Sequence, residues 1–344
     1  MTEVTQSSLP GYSCQISGTG SYLPQKVLTN FDLEKMVETN DQWIVERTGI
    51  SRRHIADENE ITSDLALHAS RRALEAAGLS ASDLDMIIVA TISPDQTMPS
   101  TACILQHKLG AKTIFAFDLS AACSGFVYGL TIADQFIKTG FCKHILVVGA
   151  EILSRYLNYK DRETCILFGD GAGAAVISRV TTTDPVLLAS GPRVLGVSLH
   201  ADGAHGELLV LPTGGSGLPL TQKVLDEGSH FLRMKGREIF KNAVRAMVQS
   251  GQEAIEQAAL SVEEIDWVVP HQANLRIIEA VANNFKIPMQ KVIINVQETG
   301  NTSGATIPIA LDDAVRDGRI QRGQTILFTA FGAGLTSGSL LMRY

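Results

Sequence analysis

The chain repeats itself at long range. The segment Leu79-Ser-Ala-Ser-Asp-Leu-Asp-Met-Ile-Ile88 resembles Leu260-Ser-Val-Glu-Glu-Ile-Asp-Trp-Val-Val269, an offset of 181 residues. His144-Ile-Leu-Val-Val-Gly149 lies over Thr325-Ile-Leu-Phe-Thr-Ala330 at the same offset. Both stretches then reach a Gly-rich turn and a short apolar run, starting at Gly169 and Gly332. Apolar runs of strand length alternate with helical patterns throughout, which is the signature of α/β architecture. A period this long is not that of a solenoid. It predicts two related α/β halves, 12–180 and 181–344, packed as one body behind a flexible tail at 1–11. That tail lacks the basic start and apolar centre of a signal peptide.

The repeat also predicts where chemistry sits. The offset sets Cys123 over Gly304, inside Gly300-Asn-Thr-Ser-Gly-Ala305. Each segment follows an expected strand (114–118 and 291–296) and precedes a helical pattern. They should occupy equivalent helix N-termini, related by an approximate two-fold axis and able to face each other. A thiol at a helix N-terminus meets free N–H groups and the positive end of the dipole. That environment typically lowers a Cys pKa from about 8.5 to about 7 or below. Small neighbours in Ser120-Ala-Ala-Cys-Ser-Gly125 would let a substrate approach closely. The same segment fits a small buried core thiol equally well.

His271 ends the repeated apolar run in Val268-Val-Pro-His-Gln-Ala-Asn274. Ligands of open α/β sheets bind off the carboxyl ends of strands, so the position suits a functional side chain as well as a structural one. Together with Asn301, it gives Cys, His and Asn on three strand-to-helix corners.

Other signals are weaker. The cysteines (Cys14, Cys103, Cys123, Cys142 and Cys165) are scattered, with no C-x-x-C pair. That spacing points away from a disulfide scaffold or zinc site and towards a reducing cytoplasm. A net charge of -7 weighs against general nucleic-acid binding. No apolar run approaches the roughly 20 residues of a membrane helix. Gly169-Asp-Gly-Ala-Gly-Ala174 satisfies a dinucleotide fingerprint, but the apolar run after it reads as a strand, not the helix that motif must open. His200 and His205 lack further ligands at usable spacing and read as surface loop, so no metal is expected.

The segments Ser120-Ala-Ala-Cys-Ser-Gly-Phe126, Val269-Pro-His-Gln-Ala-Asn-Leu-Arg276, Gly300-Asn-Thr-Ser-Gly304 and Phe331-Gly-Ala-Gly-Leu-Thr336 resemble those of the β-ketoacyl-acyl carrier protein synthase III family. Gly18-Thr-Gly-Ser-Tyr-Leu-Pro24, Asp41-Gln-Trp-Ile-Val-Glu-Arg-Thr-Gly-Ile50 and Phe168-Gly-Asp-Gly-Ala-Gly173 extend the resemblance over nearly the whole chain. It implies a thiolase-like fold, two pseudo-symmetric halves in a layered α-β-α-β-α body. It also implies a condensation that starts fatty-acid synthesis. Cys123 would take the acyl group from an acyl-CoA, and malonyl-acyl carrier protein would then lose carbon dioxide and attack it. His271 and Asn301 would each offer one N–H to the enolate oxygen. The backbone N–H groups of Cys123 and Ala333 would form the oxyanion hole.

By the same resemblance, Trp43 and Arg162 would hold the CoA adenine, Arg47 its phosphates and Asn274 the pantetheine arm. Gln272, Ala273, Asn274, Leu275 and Arg276, with Lys241, would meet the carrier protein. Met98 would close the acyl pocket of a partner subunit in a homodimer. CoA thioester would be a substrate, with no resident cofactor. Glu163, Arg237 and Ser337 depart from common family residues. The nearest rival reading keeps Cys123 but passes the acyl group to another acceptor, as relatives in secondary metabolism do. A second rival is a non-catalytic CoA-binding protein, which would form no acyl adduct.

Overall fold

The structure, a computed structural model, describes residues 12–181, 184, 186 and 190–344; the expected tail at 1–11 lies outside them. Five strands form the first large sheet: β1 (Ser13–Tyr22), β2 (Met86–Ala90), β3 (Phe115–Leu119), β4 (His144–Glu151) and β5 (Gly171–Val180). Their spatial order is β1-β5-β4-β2-β3. The β2–β3 and β2–β4 pairs are parallel, and β5 runs antiparallel to both β4 and β1. Four strands form the second: β6 (Arg193–Ala201), β7 (Trp267–Pro270), β8 (Thr325–Gly332) and β9 (Thr336–Arg343). Their order is β7-β8-β9-β6, with β7–β8 parallel and the other pairs antiparallel.

The 181-residue offset is visible in these elements. It carries the start of β2 onto that of β7, and the whole of β4 onto β8. It also carries the short 3-10 turn Ala122–Ser124 onto Ser303–Ala305. Even the backbone follows: Ala122 and Ser303 both adopt left-handed φ, 46° and 49°.

Helices complete the layers, among them α1 (Thr62–Ala77), α2 (Gly125–Lys138), α3 (Gly236–Gln257) and α4 (Thr306–Arg316). Alternate residues of a strand point to opposite faces of the sheet. Met86 and Ile88 therefore enter a central cluster with Phe126 of α2, Ile307 of α4 and Phe328 of β8. Ile87 and Val89 face the other way, packing with Leu65 and Ala69 of α1. On the far side, Met247 and Ile255 of α3 pack with Leu327 and Leu341 of the second sheet. Both sheets are thus covered on both faces, with α2 and α4 between them. This is the layered α-β-α-β-α body that the resemblance implied.

Three sequence expectations shift. The strand expected at 114–118 forms one residue later, at Phe115–Leu119. The strand expected at 291–296 reduces to a single bridge between Val268 and Val292. The Gln272 side chain replaces the rest of the ladder: its oxygen accepts from the Asn295 N–H at 3.1 Å, and its amide donates to the Ile293 carbonyl at 3.0 Å. The chain then turns into the short helix Val296–Thr299. Gly169–Gly171 leads into strand β5 and not into a helix, so the dinucleotide motif stays declined. His200, expected in a loop, instead lies on β6, where its ring bonds Glu253 and Ser198. Among the described residues, no helix is long and apolar enough to cross a membrane.

Candidate active site

The two equivalent turns meet at the centre of the molecule. The Cys123 thiol donates to the Ser303 hydroxyl at 3.5 Å, and Gly304 packs against the Ala122 carbonyl. Contact this close needs small residues; a Cβ on Gly149 of β4 would drive into the Gly304 carbonyl oxygen. Cys123 is buried, at the start of α2. The helix N-terminus is as the sequence suggested, but the thiol is not acidified. Burial pushes it up to about 12, helped by the nearby Glu151 carboxylate and only partly offset by the Ser303 hydrogen bond. Desolvation of the thiolate, which the sequence does not show, opposes the lowering expected from the helix N-terminus.

His271 follows β7, its N–H donating to the Thr329 carbonyl at 2.8 Å. Its Nδ1 lies 2.7 Å from the Thr306 hydroxyl, which is also 3.0 Å from the Ser303 carbonyl. Burial pushes the imidazole down to about 3, so the ring is neutral at physiological pH. Asn301 is fixed by its backbone, which exchanges hydrogen bonds with Leu167 and Gly169. Gly300, at φ 63°, makes that approach possible, since a Cβ there would meet the Leu167 carbonyl at 2.9 Å. The Asn301 side-chain oxygen accepts from the Ser303 N–H at 2.8 Å, leaving its Nδ2 free of that bond.

Cys123, His271 and Asn301 line one cavity. Cys123 also borders a second, smaller chamber, walled by Ile92, Leu153, Phe168 and Leu232 and reaching Ala333 and Ser303. Such an arrangement presents a nucleophile between two chambers, opposite a neutral imidazole and an amide. It fits acyl transfer through a thioester.

Comparison with known proteins decides the family. Residues 117–203 match the family model "3-Oxoacyl-[acyl-carrier-protein (ACP)] synthase III", and 255–344 match the model of its C-terminal part. A β-ketoacyl-[acyl-carrier-protein] synthase III of Caldanaerobacter subterraneus subsp. tengcongensis is 54% identical over 329 residues, 96% of this chain and 97% of the relative. The chain belongs to the 3-oxoacyl-[acyl-carrier-protein] synthase III family. It is therefore an acyltransferase, a condensing enzyme of fatty-acid initiation with the thiolase fold. The crystal structure of the synthase III from Aquifex aeolicus superposes with a TM-score of 0.87 at 48% identity, covering 97% of this chain and 100% of that one. A priming β-ketosynthase from a polyketide biosynthetic pathway also gives 0.87, at 34% identity, over 97% and 98%.

The outer residues that the synthase III resemblance nominated fall into distinct places. The Arg47 and Arg162 guanidinium carbons lie 4.6 Å and 5.0 Å from the Trp43 ring centre, so all three form one cluster. Arg162 also donates to the Glu38 carbonyl at 3.2 Å. Asn274 lines the cavity, and its amide donates to the Arg47 carbonyl at 3.0 Å, which sets the cluster at the cavity mouth. Its oxygen caps the helix Leu275–Phe285 through the Arg276 N–H. Ala273 lines the cavity, Leu275 is half-buried, and Arg276 and Lys241 are exposed.

Gln272 must be removed from the expected carrier surface. It is fully buried, and its amide and oxygen are spent on Pro270, Ile293 and Asn295. Met98 is 83% exposed and does not line the cavities of its own chain. Sequence reasoning missed Glu151, Thr306 and the chamber residues Leu153 and Leu232. Ser303 had a signal, for the offset pairs it with Ala122, next to the nucleophile candidate.

Proposed function

We propose that this synthase III joins an acyl-CoA primer, acetyl-CoA foremost, to malonyl-acyl carrier protein by a ping-pong route through acyl-Cys123. The Cys123 sulfur attacks the thioester carbonyl and CoA leaves. The N–H groups of Cys123 and Ala333 hold the oxyanion. Malonyl-acyl carrier protein enters by the same cavity and loses carbon dioxide. His271 Nε2–H and Asn301 Nδ2–H hold the enolate oxygen. The enolate carbon then takes the acyl group from sulfur, giving 3-oxoacyl-acyl carrier protein.

The observation that carries this reading is the position of Cys123 between the two chambers, with His271 and Asn301 lining the larger one. The smaller chamber suits a short acyl chain and the larger suits a pantetheine arm. Trp43 and Arg162 would take the adenine between them. They would first have to part from 5.0 Å to roughly 7 Å, two stacking distances. Arg47 would bind phosphate, Asn274 would line the path of the arm, and the exposed Arg276 and Lys241 would face the acidic carrier. The exposed apolar side chains Met98, Phe115 and Phe141 support a homodimer. No resident cofactor is required.

Mass spectrometry of the intact protein tests the proposal. Incubation with acetyl-CoA should add an acetyl group on Cys123, and malonyl-carrier protein should then discharge it. An adduct on another cysteine, or none, would sink the mechanism. The 34% identity to a priming β-ketosynthase favours one alternative, a different primer or acceptor. Acylation by longer acyl-CoAs alone, with no turnover of malonyl-carrier protein, would select it.

A further inference from the structure

A carboxyl group lies buried beside the nucleophile with no cation to neutralise it. Glu151 ends β4 and is fully buried. Its Oε2 accepts from the Thr91 hydroxyl at 3.2 Å, the Ile92 and Ser93 N–H groups at 3.1 Å and the Ser93 hydroxyl at 2.5 Å. The Ser303 hydroxyl lies close enough to favour the charged form of Glu151, and a Cβ on the adjacent Gly304 would meet Oε1 at 3.6 Å. Ser303 in turn receives the Cys123 thiol at 3.5 Å. No Lys, Arg or His pairs with Glu151 among the described residues. A buried carboxyl held only by neutral donors is costly as a structural device. It is better suited to taking up a proton.

We propose that Glu151, acting through the Ser303 hydroxyl, accepts the Cys123 proton on acylation and holds it for the lifetime of the acyl-enzyme. The idea rests on the acyl-Cys123 reading above. As the sulfur bonds the acyl carbonyl carbon, the thiol proton passes to Ser303 Oγ and the Ser303 proton passes to Glu151. The bond from that carbon to the CoA sulfur breaks, and the CoA thiolate takes a proton from solvent. In the second half, the enolate carbon bonds the acyl carbon and the bond to Cys123 sulfur breaks. The released thiolate then recovers the stored proton by the reverse path.

Two further observations agree. Burial holds the thiol well above its ordinary value, so a nearby acceptor for its proton favours attack. Burial pushes Glu151 up to about 7 against the pull of its hydrogen bonds, so both of its protonation states are accessible near neutrality. The titratable groups coupled to it are Cys123 and Tyr156, both neutral there. Ser303 touches the reacting sulfur; Glu151 acts through it.

The test is the pH profile of Cys123 alkylation by iodoacetamide, read by peptide mass spectrometry in the full chain. Wild type should show a step with its midpoint near pH 7 and a plateau above it. Glu151→Gln and Ser303→Ala should each lose the step. Each should run slower by on the order of 10²-fold at pH 8 and climb about tenfold per pH unit. Ser303→Ala keeps the test decisive if the Gln variant folds poorly. A rate within twofold of wild type, or a uniform loss with the midpoint unchanged, would overturn the relay. Acetylation by acetyl-CoA is scored separately. A wild type that keeps the alkylation step but takes no acetyl group would refute the proposed function while supporting a relay-activated thiol.

Discussion

The neutral His271 ring carries a single proton, and the nitrogen that holds it decides what the ring can do. The Thr306 hydroxyl, 2.7 Å from Nδ1, has one proton to give. At rest it donates that proton to the Ser303 carbonyl at 3.0 Å; turned to Nδ1 when the malonyl group binds, it would fix the Nε2–H tautomer that an enolate oxygen needs. Thr306→Val keeps the shape and removes that donor. Decarboxylation of malonyl-carrier protein, followed by carbon dioxide release, should slow on the order of 10-fold, and His271→Ala by about 10²-fold or more. Acetyl-Cys123 formation should change far less. Equal losses in both steps would contradict the assigned role. The same burial links His271 to stability. Its folded value lies near 3, below the ordinary 6.5, so the unfolded chain alone binds this proton between those values. Stability should therefore fall on acidification through that window, and His271→Gln should flatten the melting-temperature curve there. At this scale the sequence showed which side chains converge on the cavity. It could not show the raised Cys123 thiol or the buried Gln272, because desolvation depends on neighbours far along the chain.

At the level of elements, the repeat was the legible part. Strands β4 and β8, and the paired 3-10 turns, stand in strict 181-residue register. The exception is instructive: 291–296 has the composition of a strand, yet a side chain, Gln272, occupies its ladder. Hydropathy cannot reveal that substitution. The register also makes Gly149 a point of no tolerance, since β4 meets the Ser303–Ala305 turn through it. Gly149→Ala should cost about 1–3 kcal/mol in chemical denaturation, the range for an overpacked core. It should also reduce acetyl-Cys123 formation, because the Gly304 turn would have to move away from Cys123. Full activity with unchanged stability would show that the contact can relax. On the outer face, Arg276 is exposed and its guanidinium carbon lies 6.0 Å from the Phe240 ring centre. If this helix start meets an acidic carrier, Arg276→Glu should raise KM for malonyl-carrier protein at least 10-fold. Acetylation by acetyl-CoA should be unaffected. The KM should also rise with salt in wild type.

For the whole molecule, the question is whether two similar halves make two folding units. The buried clusters argue for one. Cys14, Met86 and Ile88 from the first part of the chain share a single core with Val269, Phe328 and Leu340 from the last. The central helices α2 and α4 each cover apolar surface that would be exposed if the parts separated. The cavity is divided in the same way, with Cys123 from one repeat and His271, Asn301 and Ser303 from the other. A chain of this length often unfolds in stages, so a single cooperative transition would be informative. We expect calorimetry to give one transition, coincident with the loss of Cys123 alkylation selectivity. If the exposed Met98, Phe115 and Phe141 side chains pair two copies, the midpoint should also rise with protein concentration. Two resolved transitions, or a fragment of 12–180 that folds alone, would show that the shared core is only an interface. The acceptor Ser303 would then be lost from Cys123 before the first repeat unfolds, and alkylation would change at the lower transition.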